Sequence, residues 1–523
     1  MPDPSIHVDP ARKIAPVDPR IYSGFTEHMG RCIYGGIYDP DNSALVDEKG
    51  FRKDVLAALK ELKVPVVRYP GGNFVSTYRW QDGIGPKHLR PRRPELAWLT
   101  EESNQFGTDE FMAWCKELGA EPYICLNMGT GTLEDALAWL EYCNSSATTH
   151  FANLRRANGH AEPYRVKYWS LGNEVWGPWQ VGQMSAEDYA KRAFQWAKAM
   201  RLLDPTIQII SCGETGFSSW DWITLKTLAP VVDYHSIHRG FSNRLHSFNL
   251  MALRSVYTPS NNHEATVMGP VAAEKGIEIS KSLIDLALIE HGLDKEITVC
   301  YDEWNVWDPI RAPGEKGAEM HYNFSDALAV ASWLNVFIRK ADVVKFACIA
   351  QSVNVLSPII TSPTSLFKQT SYYSLHLFAN WMQGTSLSIH STTETDDDYY
   401  SGPTEPAFIA KLAGHSPSSL KLTKWIDVSG VLSEDGKQVR LAIVNRNATR
   451  SYDLPVIFPA SSVHGAQFRV GTEITVHELW HPDLDARNDF EEEKVNVQVR
   501  KQVWDGKLAV KEHSFQVVVF DLI

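Results

Sequence analysis

A chain of 523 residues is too long for one core of ordinary size, so two domains, or one large barrel with an appendage, are expected. Its 51 basic and 63 acidic residues leave a net charge of −12, which repels phosphate backbones and anionic membrane surfaces and argues against nucleic-acid and membrane partners. No run reaches the ~18 apolar residues that a membrane span needs.

The opening Met-Pro-Asp-Pro-Ser-Ile-His has neither a basic n-region nor an apolar h-region, so a cytoplasmic protein is expected, with a processed secreted form as the alternative. Seven cysteines without a C-x-x-C pair, several inside apolar runs, read as buried free thiols. The sequons at Asn144, Asn323 and Asn447 matter only in a secreted chain, and the first two look partly buried in helices.

Along the chain, short apolar runs alternate with segments of 3.6 period. Strands are predicted at Ile21–Phe25, Val66–Gly72, Glu121–Met128, Val166–Glu174, Ile207–Gly213, Val232–His238, Ile297–Asn305 and Val343–Gln351. Helices are predicted at Asp54–Lys63, Thr108–Gly119, Leu133–Asn144, Ser185–Leu203, Ile277–His291 and Ser325–Lys340. Eight continuously apolar strands with crossover helices are the pattern of a (β/α)8 TIM barrel, whose strands are buried on both faces. An open doubly wound sheet is the alternative, but no G-x-G-x-x-G follows the first strand. After about Phe378 the period changes to two, over Leu420–Val428, Val439–Asn445, Gln467–Glu473, Val495–Val499 and Phe515–Asp521, which reads as an antiparallel β-sandwich of jelly-roll type. Ser5–Val8 is a plausible extra strand for it. The expected division is therefore a barrel over 18–374 and a sandwich over 1–17 and 375–523. The acidic stretch Thr392–Pro406 reads as a solvated loop, with a cation site as the lesser reading.

Chemistry in such a barrel belongs at the C-terminal ends of the strands. Glu174 ends the fourth and Glu303 the seventh, so closure brings two carboxyls to one mouth. Glycosidic cleavage needs such a pair, one to protonate the leaving oxygen and one to act as nucleophile or to activate water; their spacing decides between retention and inversion. Trp176 and Trp179 beside Glu174 favour a general acid, and Arg68 is placed to keep Glu303 ionised. A structural ion-pair member is the lesser reading of either glutamate alone, and it recedes further once both strand ends agree. His235 and His238 lack metal-ligand spacing and read as core or site-wall histidines. No metal or organic cofactor is implied.

The segments Phe25–Tyr38, Arg68-Tyr-Pro-Gly-Gly-Asn73, Trp80–Pro86, Glu102–Glu110, Leu171-Gly-Asn-Glu174 and Asp302-Glu-Trp-Asn-Val-Trp307 closely resemble glycoside hydrolase family 51. The resemblance runs over roughly 18–370 and implies α-L-arabinofuranosidase activity by retaining double displacement, with Glu174 as acid/base and Glu303 as nucleophile. It implies a carbohydrate substrate held by Glu27, Asn73, Asn173 and Gln351, with Asn104, Trp98 and Trp179 as pocket wall; homo-oligomers are common in the family. Family members usually carry a Tyr two residues after the His that ends the sixth strand, where this chain has Gly240. Tyr234 is the expected replacement, or else the pocket is wider and admits β-D-galactofuranose. Val175-Trp176 also stands where Met-Asp is common. A β-1,4-glucan or xylan hydrolase on the same barrel, and a carbohydrate-binding protein without catalysis, are the competing readings.

Overall fold

The computed structural model describes residues 4–42, 44–238, 263–308, 310–393, 395–400, 423–459 and 468–523. Eight parallel strands form one sheet: β1 (Gly24–Phe25), β2 (Val66–Tyr69), β3 (Glu121–Cys125), β4 (Tyr168–Leu171), β5 (Gln208–Ser211), β6 (Tyr234–His238), β7 (Thr298–Trp304) and β8 (Val344–Ile349). They pair in sequence order, and the sheet closes on itself where Ser23 N–H donates to Ala347 O at 3.1 Å and Ile349 N–H to Ser23 O at 3.0 Å. The predicted (β/α)8 barrel is thus present, and every predicted barrel strand has its counterpart, shortened at the ends.

Continuous apolar runs suit this position because both strand faces are buried. Phe25, Val66, Tyr123, Tyr168, Ile210, Tyr234, Cys300 and Phe346 fill the interior. The floor is polar but satisfied. Arg20 Nη1 donates to the hydroxyls of Tyr168 and Tyr234 at 2.9 Å each, and its guanidinium also faces the Phe346 ring.

Helices Lys53–Glu61, Thr108–Leu118, Leu133–Asn144, Ala186–Leu203, Pro270–His291 and Phe324–Arg339 lie where periodicity places them. Helices His150–Ala157 and Ser219–Leu228 were not anticipated. Thr132 caps its helix as expected, its Oγ1 accepting from Asp135 N–H at 3.1 Å.

The C-terminal part carries two packed sheets. The larger holds seven strands in the order Lys13–Pro16, Thr385–Leu387, Ile426–Leu432, Gln438–Asn445, Ser514–Leu522, Val470–Leu479 and Val497–Val503. The smaller joins His390–Ser391, Ile6–His7, Tyr452–Ile457 and Lys507–Val510. Both chain ends therefore contribute strands, as Ser5–Val8 suggested. Between the sheets lie Ile6, Val428, Leu441, Leu454, Val476 and Phe520.

All seven cysteines are free and buried. Asn323 is 2 % exposed and caps a helix, and Asn144 donates to Val166 O and Asp204. Within the described residues of the acidic stretch, Asp396 and Asp397 are exposed as a solvated loop would have them, and Asp398 departs from that. Asp396–Asp398 form a 3-10 turn, and Asp398 is buried against Arg450 at 3.1 Å. Among the described residues no helix is long and apolar enough to cross a membrane.

Candidate active site

The site is assembled from strand ends whose backbones turn sharply. After β4, Gly172 adopts φ +88° and Glu174 φ +42°, so two consecutive side chains, Asn173 and Glu174, both face the barrel mouth. At β7 the pairing register shifts between Tyr301 and Trp304, and opposite it between Ser236 and His238. Such an irregularity breaks the period of two and re-aims neighbouring side chains. Asp302 and Glu303 consequently both reach the same cluster.

His238, the last residue of β6, lies between the acids. Its Nδ1 is 3.2 Å from Glu174 Oε1 and 3.7 Å from Glu303 Oε2, and its Nε2 is 2.9 Å from Asp302 Oδ1. Arg68 at the end of β2 donates to Glu303 Oε2 at 3.1 Å and to Asn173 Oδ1 at 2.6 Å, and its Nε is 3.4 Å from Asp302. Tyr123 O–H donates to Asp302 Oδ2 at 2.6 Å. Donor atoms of Glu174, His238 and Glu303 all fall within 4.8 Å of one another. The two glutamates, 129 positions apart in the chain (303 − 174), therefore share one hollow.

Glu27 forms the opposite wall. It accepts from Gln351 Nε2 at 2.8 Å, from Phe74 N–H at 3.1 Å and from Trp98 Nε1 at 3.2 Å. Gly72 lies in the middle, where an added Cβ meets Glu303 Oε2 at 3.3 Å, Glu27 Oε2 at 3.4 Å and Asn173 Nδ2 at 3.5 Å. Asn173 Nδ2 also reaches Asn73 Oδ1 at 3.5 Å. On the outer side Trp179 Nε1 donates to Glu174 Oε2 at 2.9 Å and packs edge-on against Trp176.

Burial alone raises the Asp302 carboxyl, but the Arg68 and His238 cations outweigh it and hold Asp302 well below the usual carboxylate range. Burial opposes charge on the His238 ring, yet Asp302 and Glu303 overcome it and raise the ring to about 10. Burial pushes the Glu303 carboxyl upward and Glu174 adds to the rise, while His238 and Arg68 pull against it. Glu27 is pushed up to about 7, first by burial and then by Glu303. Two cations thus meet four carboxyls. With Asp302 and Glu303 ionised the charges cancel, and Glu27, raised to about 7, is a place for a proton.

The trio Glu174, His238 and Glu303 has the span of a metal site but not its chemistry. Both ring nitrogens of His238 face carboxylates, and a ring that keeps its proton to about 10 offers no lone pair to a cation.

Of the site residues expected from sequence, the structure brings together Glu174, Glu303, Glu27, Asn73, Asn173, Gln351, Trp98 and Trp179. Asn104 is held elsewhere: its amide donates to Pro91 O at 2.6 Å, and it lines an adjoining cavity. Tyr234 is at the other end of β6, engaged with Arg20 on the barrel floor, so it does not supply a hydroxyl at the mouth. Gly240 and Phe241 lie outside the described residues. The residue that sequence reasoning missed is Asp302, and His238 is more central than a wall; alternation along β7 points Asp302 away from Glu303, so the sequence held no signal for the first. His235 is the satisfied core histidine expected, bonded to Asp221 and Ser211.

Two family profiles match the chain, described as α-L-arabinofuranosidase 1 domain over residues 58–251 and α-L-arabinofuranosidase C-terminal domain over residues 302–516. A probable α-L-arabinofuranosidase C of Aspergillus clavatus is 51 % identical over 98 % of this chain and 97 % of its own length. An intracellular exo-α-(1→5)-L-arabinofuranosidase 1 of Bacillus subtilis is 40 % identical over 68 % of this chain and 70 % of its own. The solved structure of a thermostable GH51 α-L-arabinofuranosidase from Thermotoga petrophila superposes with a TM-score of 0.83 at 36 % identity, covering 99 % of each chain. Motifs, barrel and whole-length similarity agree, and the chain belongs to glycoside hydrolase family 51, the α-L-arabinofuranosidases.

Proposed function

We propose that the protein is a retaining, exo-acting α-L-arabinofuranosidase that removes terminal arabinofuranosyl groups from arabinan, arabinoxylan and their oligosaccharides, with Glu174 as acid/base and Glu303 as nucleophile. The observation that carries this reading is the approach of the two carboxyls to within 4.8 Å across one mouth, with a protonated imidazole between them. Carboxyls about 5–5.5 Å apart leave no room for a water between the second carboxylate and the anomeric carbon, which favours retention over inversion. The exo action named for the Bacillus relative supports release from chain ends. That relative's intracellular designation and the seven free cysteines support a cytoplasmic enzyme.

In the first step Glu303 attacks the anomeric carbon as the bond to the leaving oxygen breaks, and Glu174 delivers its proton to that oxygen. Arg68 and His238 oppose the upward push of burial on Glu303 and so favour its ionised form before attack. Once Glu303 is a neutral ester, one negative charge facing Glu174 is gone, so Glu174 parts with a proton more readily and turns from acid to base. It then takes a proton from water, whose oxygen displaces the ester and restores both carboxyls. Asn173, with its Oδ1 fixed by Arg68, presents its amide to the sugar 2-hydroxyl, and Glu27 and Asn73 take further hydroxyls. Gln351 Oε1 is buried without a hydrogen-bond partner among the described residues and suits another sugar hydroxyl. Trp98 and Trp179 close the sides.

The test uses aryl furanosides with good and poor leaving groups. Glu174→Ala slows the poor ones by a factor on the order of 10²–10⁴, while activated ones lose far less in kcat/KM and their slowed second step is rescued by azide. Equal loss for both denies Glu174 the acid role. Glu303→Ala abolishes nearly all turnover, and a trapped glycosyl adduct on any other side chain reassigns the nucleophile.

A further inference from the structure

Glu174 faces a nitrogen at each of its carboxyl oxygens. His238 Nδ1 lies 3.2 Å from Oε1, and Trp179 Nε1 donates to Oε2 at 2.9 Å. His238 is fixed by its place at the end of β6 and by Asp302. Trp179 has no strand beneath it: it sits on the loop after β4 and is 38 % exposed. An indole so placed moves among its staggered rotamers unless neighbours stop it. The direction of this donor to Glu174 is therefore set by whatever holds the ring.

Two neighbours hold it. An added Cβ at Gly177 would meet Trp179 Cε2 at 2.6 Å, Cζ2 at 2.8 Å and Nε1 at 3.0 Å, so the indole occupies the space that a side chain there would fill. The second neighbour is Trp176, whose ring meets that of Trp179 edge to face, with centroids 5.4 Å apart and planes at 83°.

Trp176 is itself anchored at both ends. Its Nε1 donates to Gly213 O at 2.8 Å, and its backbone carbonyl accepts from Gln183 Nε2 at 3.1 Å. Gly213 follows β5, so this indole bridges the loops after β4 and β5. The residue next to Trp179 is tied down independently, since Gln180 Nε2 donates to Ser76 Oγ on the loop after β2. The single N–H of the Trp176 ring is engaged with Gly213, which leaves the side chain no hydrogen bond to offer Glu174. Its route to Glu174 is the Trp179 ring.

We infer that Trp176 is a positioning residue: anchored to the carbonyl of Gly213, it holds the Trp179 indole edge-on, so that the Trp179 N–H meets Glu174 Oε2 and aims the carboxyl at the leaving oxygen. The inference rests on the hydrolase reading above and deepens it by naming what aims the acid.

The test measures kcat/KM on two aryl α-L-arabinofuranosides, one with a poor leaving group that needs the proton and one with an activated leaving group that does not. Trp176→Ala lowers the value for the poor leaving group about tenfold and for the activated one less than about twofold, because a misaimed acid slows only the substrate that calls for it. Trp176→Phe, which keeps a ring but loses the bond to Gly213, falls between. Gly177→Ala leaves Trp176 in place and pushes the Trp179 ring directly; it gives the same selective loss and keeps the test decisive if Trp176→Ala misfolds. In a Trp179→Phe background, which has no indole N–H, Trp176→Ala lowers the poor-leaving-group value by less than about a further twofold, since contacts acting through one group are not additive. Equal losses on both substrates, unchanged values, or a loss in the Trp179→Phe background as large as in the wild type overturn the inference. Glu174→Ala in the same assay separates the two claims. If it slows both substrates alike, the acid role has failed, and the positioning is judged by the cycle with Trp179→Phe alone: non-additive losses uphold it and additive losses overturn it.

Discussion

His238 holds the charge balance among the acids, because its ring faces Asp302 at 2.9 Å, Glu174 at 3.2 Å and Glu303 at 3.7 Å. Asn at this position keeps an amide donor but carries no charge. In the proposed mechanism Glu303 must be ionised to attack, and the imidazolium is one of the two cations that oppose the upward push of burial. His238→Asn is therefore expected to move the acid limb of the kcat/KM profile to higher pH and to lower kcat on the order of 10²-fold, the usual loss when a preorganised charged donor is removed. An unmoved acid limb would reduce His238 to a structural wall. The stability carried by the ring has its own window: the folded-state value of about 10 lies above the ordinary 6.5, so this contribution is complete below pH 6.5 and is lost as pH rises through about 10. At this scale the sequence was legible where a residue's place on a strand set its role. Glu174, Glu303 and Arg68 could be read because each ends an apolar run. Asp302 could not, since strict alternation sends it away from its neighbour Glu303, and only the register shift at the end of β7 unites them. Tyr234 misled for the converse reason: the right residue type on the right strand, but at the wrong end of it.

Strands and loops show the same division between pattern and geometry. The eight barrel strands were readable because a strand buried on both faces has no polar face to interrupt the apolar run. Helices His150–Ala157 and Ser219–Leu228 were not: the first is short and mostly polar, and the second carries Trp, Ile and Leu around much of its circumference, which blurs the 3.6 period. The loop after β2 is the element on which the site depends most. It passes so close to the acids that the missing side chain of Gly72 becomes part of the sugar's space. Gly72→Ala puts a methyl 3.3 Å from Glu303 Oε2 and 3.4 Å from Glu27 Oε2, positions tight enough that one carboxyl must shift. A shift of a few tenths of an ångström there is expected to lower kcat/KM by a factor on the order of ten, less than the 10²-fold of a full ångström. The thermal midpoint should fall far less than for a core substitution, so activity and melting curves measured together separate an occupied site from a damaged fold. A large fall in midpoint with normal activity per folded molecule would show that Gly72 serves the loop's backbone alone.

Across the whole molecule, the sandwich is tied to the barrel through helix Phe324–Arg339, which lies between them. Asp427 in the larger sheet accepts from Asn335 Nδ2 at 2.8 Å and from Arg339 Nη1 at 2.9 Å, and Arg339 reaches on to Glu274 at 2.8 Å. Ser429 O–H donates to Asn335 Oδ1 at 2.6 Å, which fixes the amide that serves Asp427. Asp427 and Asn335 are both buried, so neither can exchange its partner for water. Asp427→Ala takes the 2.8 Å carboxylate from the Asn335 amide, leaving it only the backbone carbonyl of residue 427 at 3.4 Å, and leaves Arg339 with Glu274 as its remaining acid partner. A buried donor left unmade costs about 1–3 kcal/mol, and the loss should appear as a lower denaturation midpoint. The acids at the mouth stand on β4 and β7 and draw no hydrogen bond from the sandwich sheets among the described residues, so kcat on an aryl furanoside should be unchanged in the folded fraction. If Asp427→Ala instead lowers kcat with the midpoint intact, the second domain acts on the chemistry and is more than a brace.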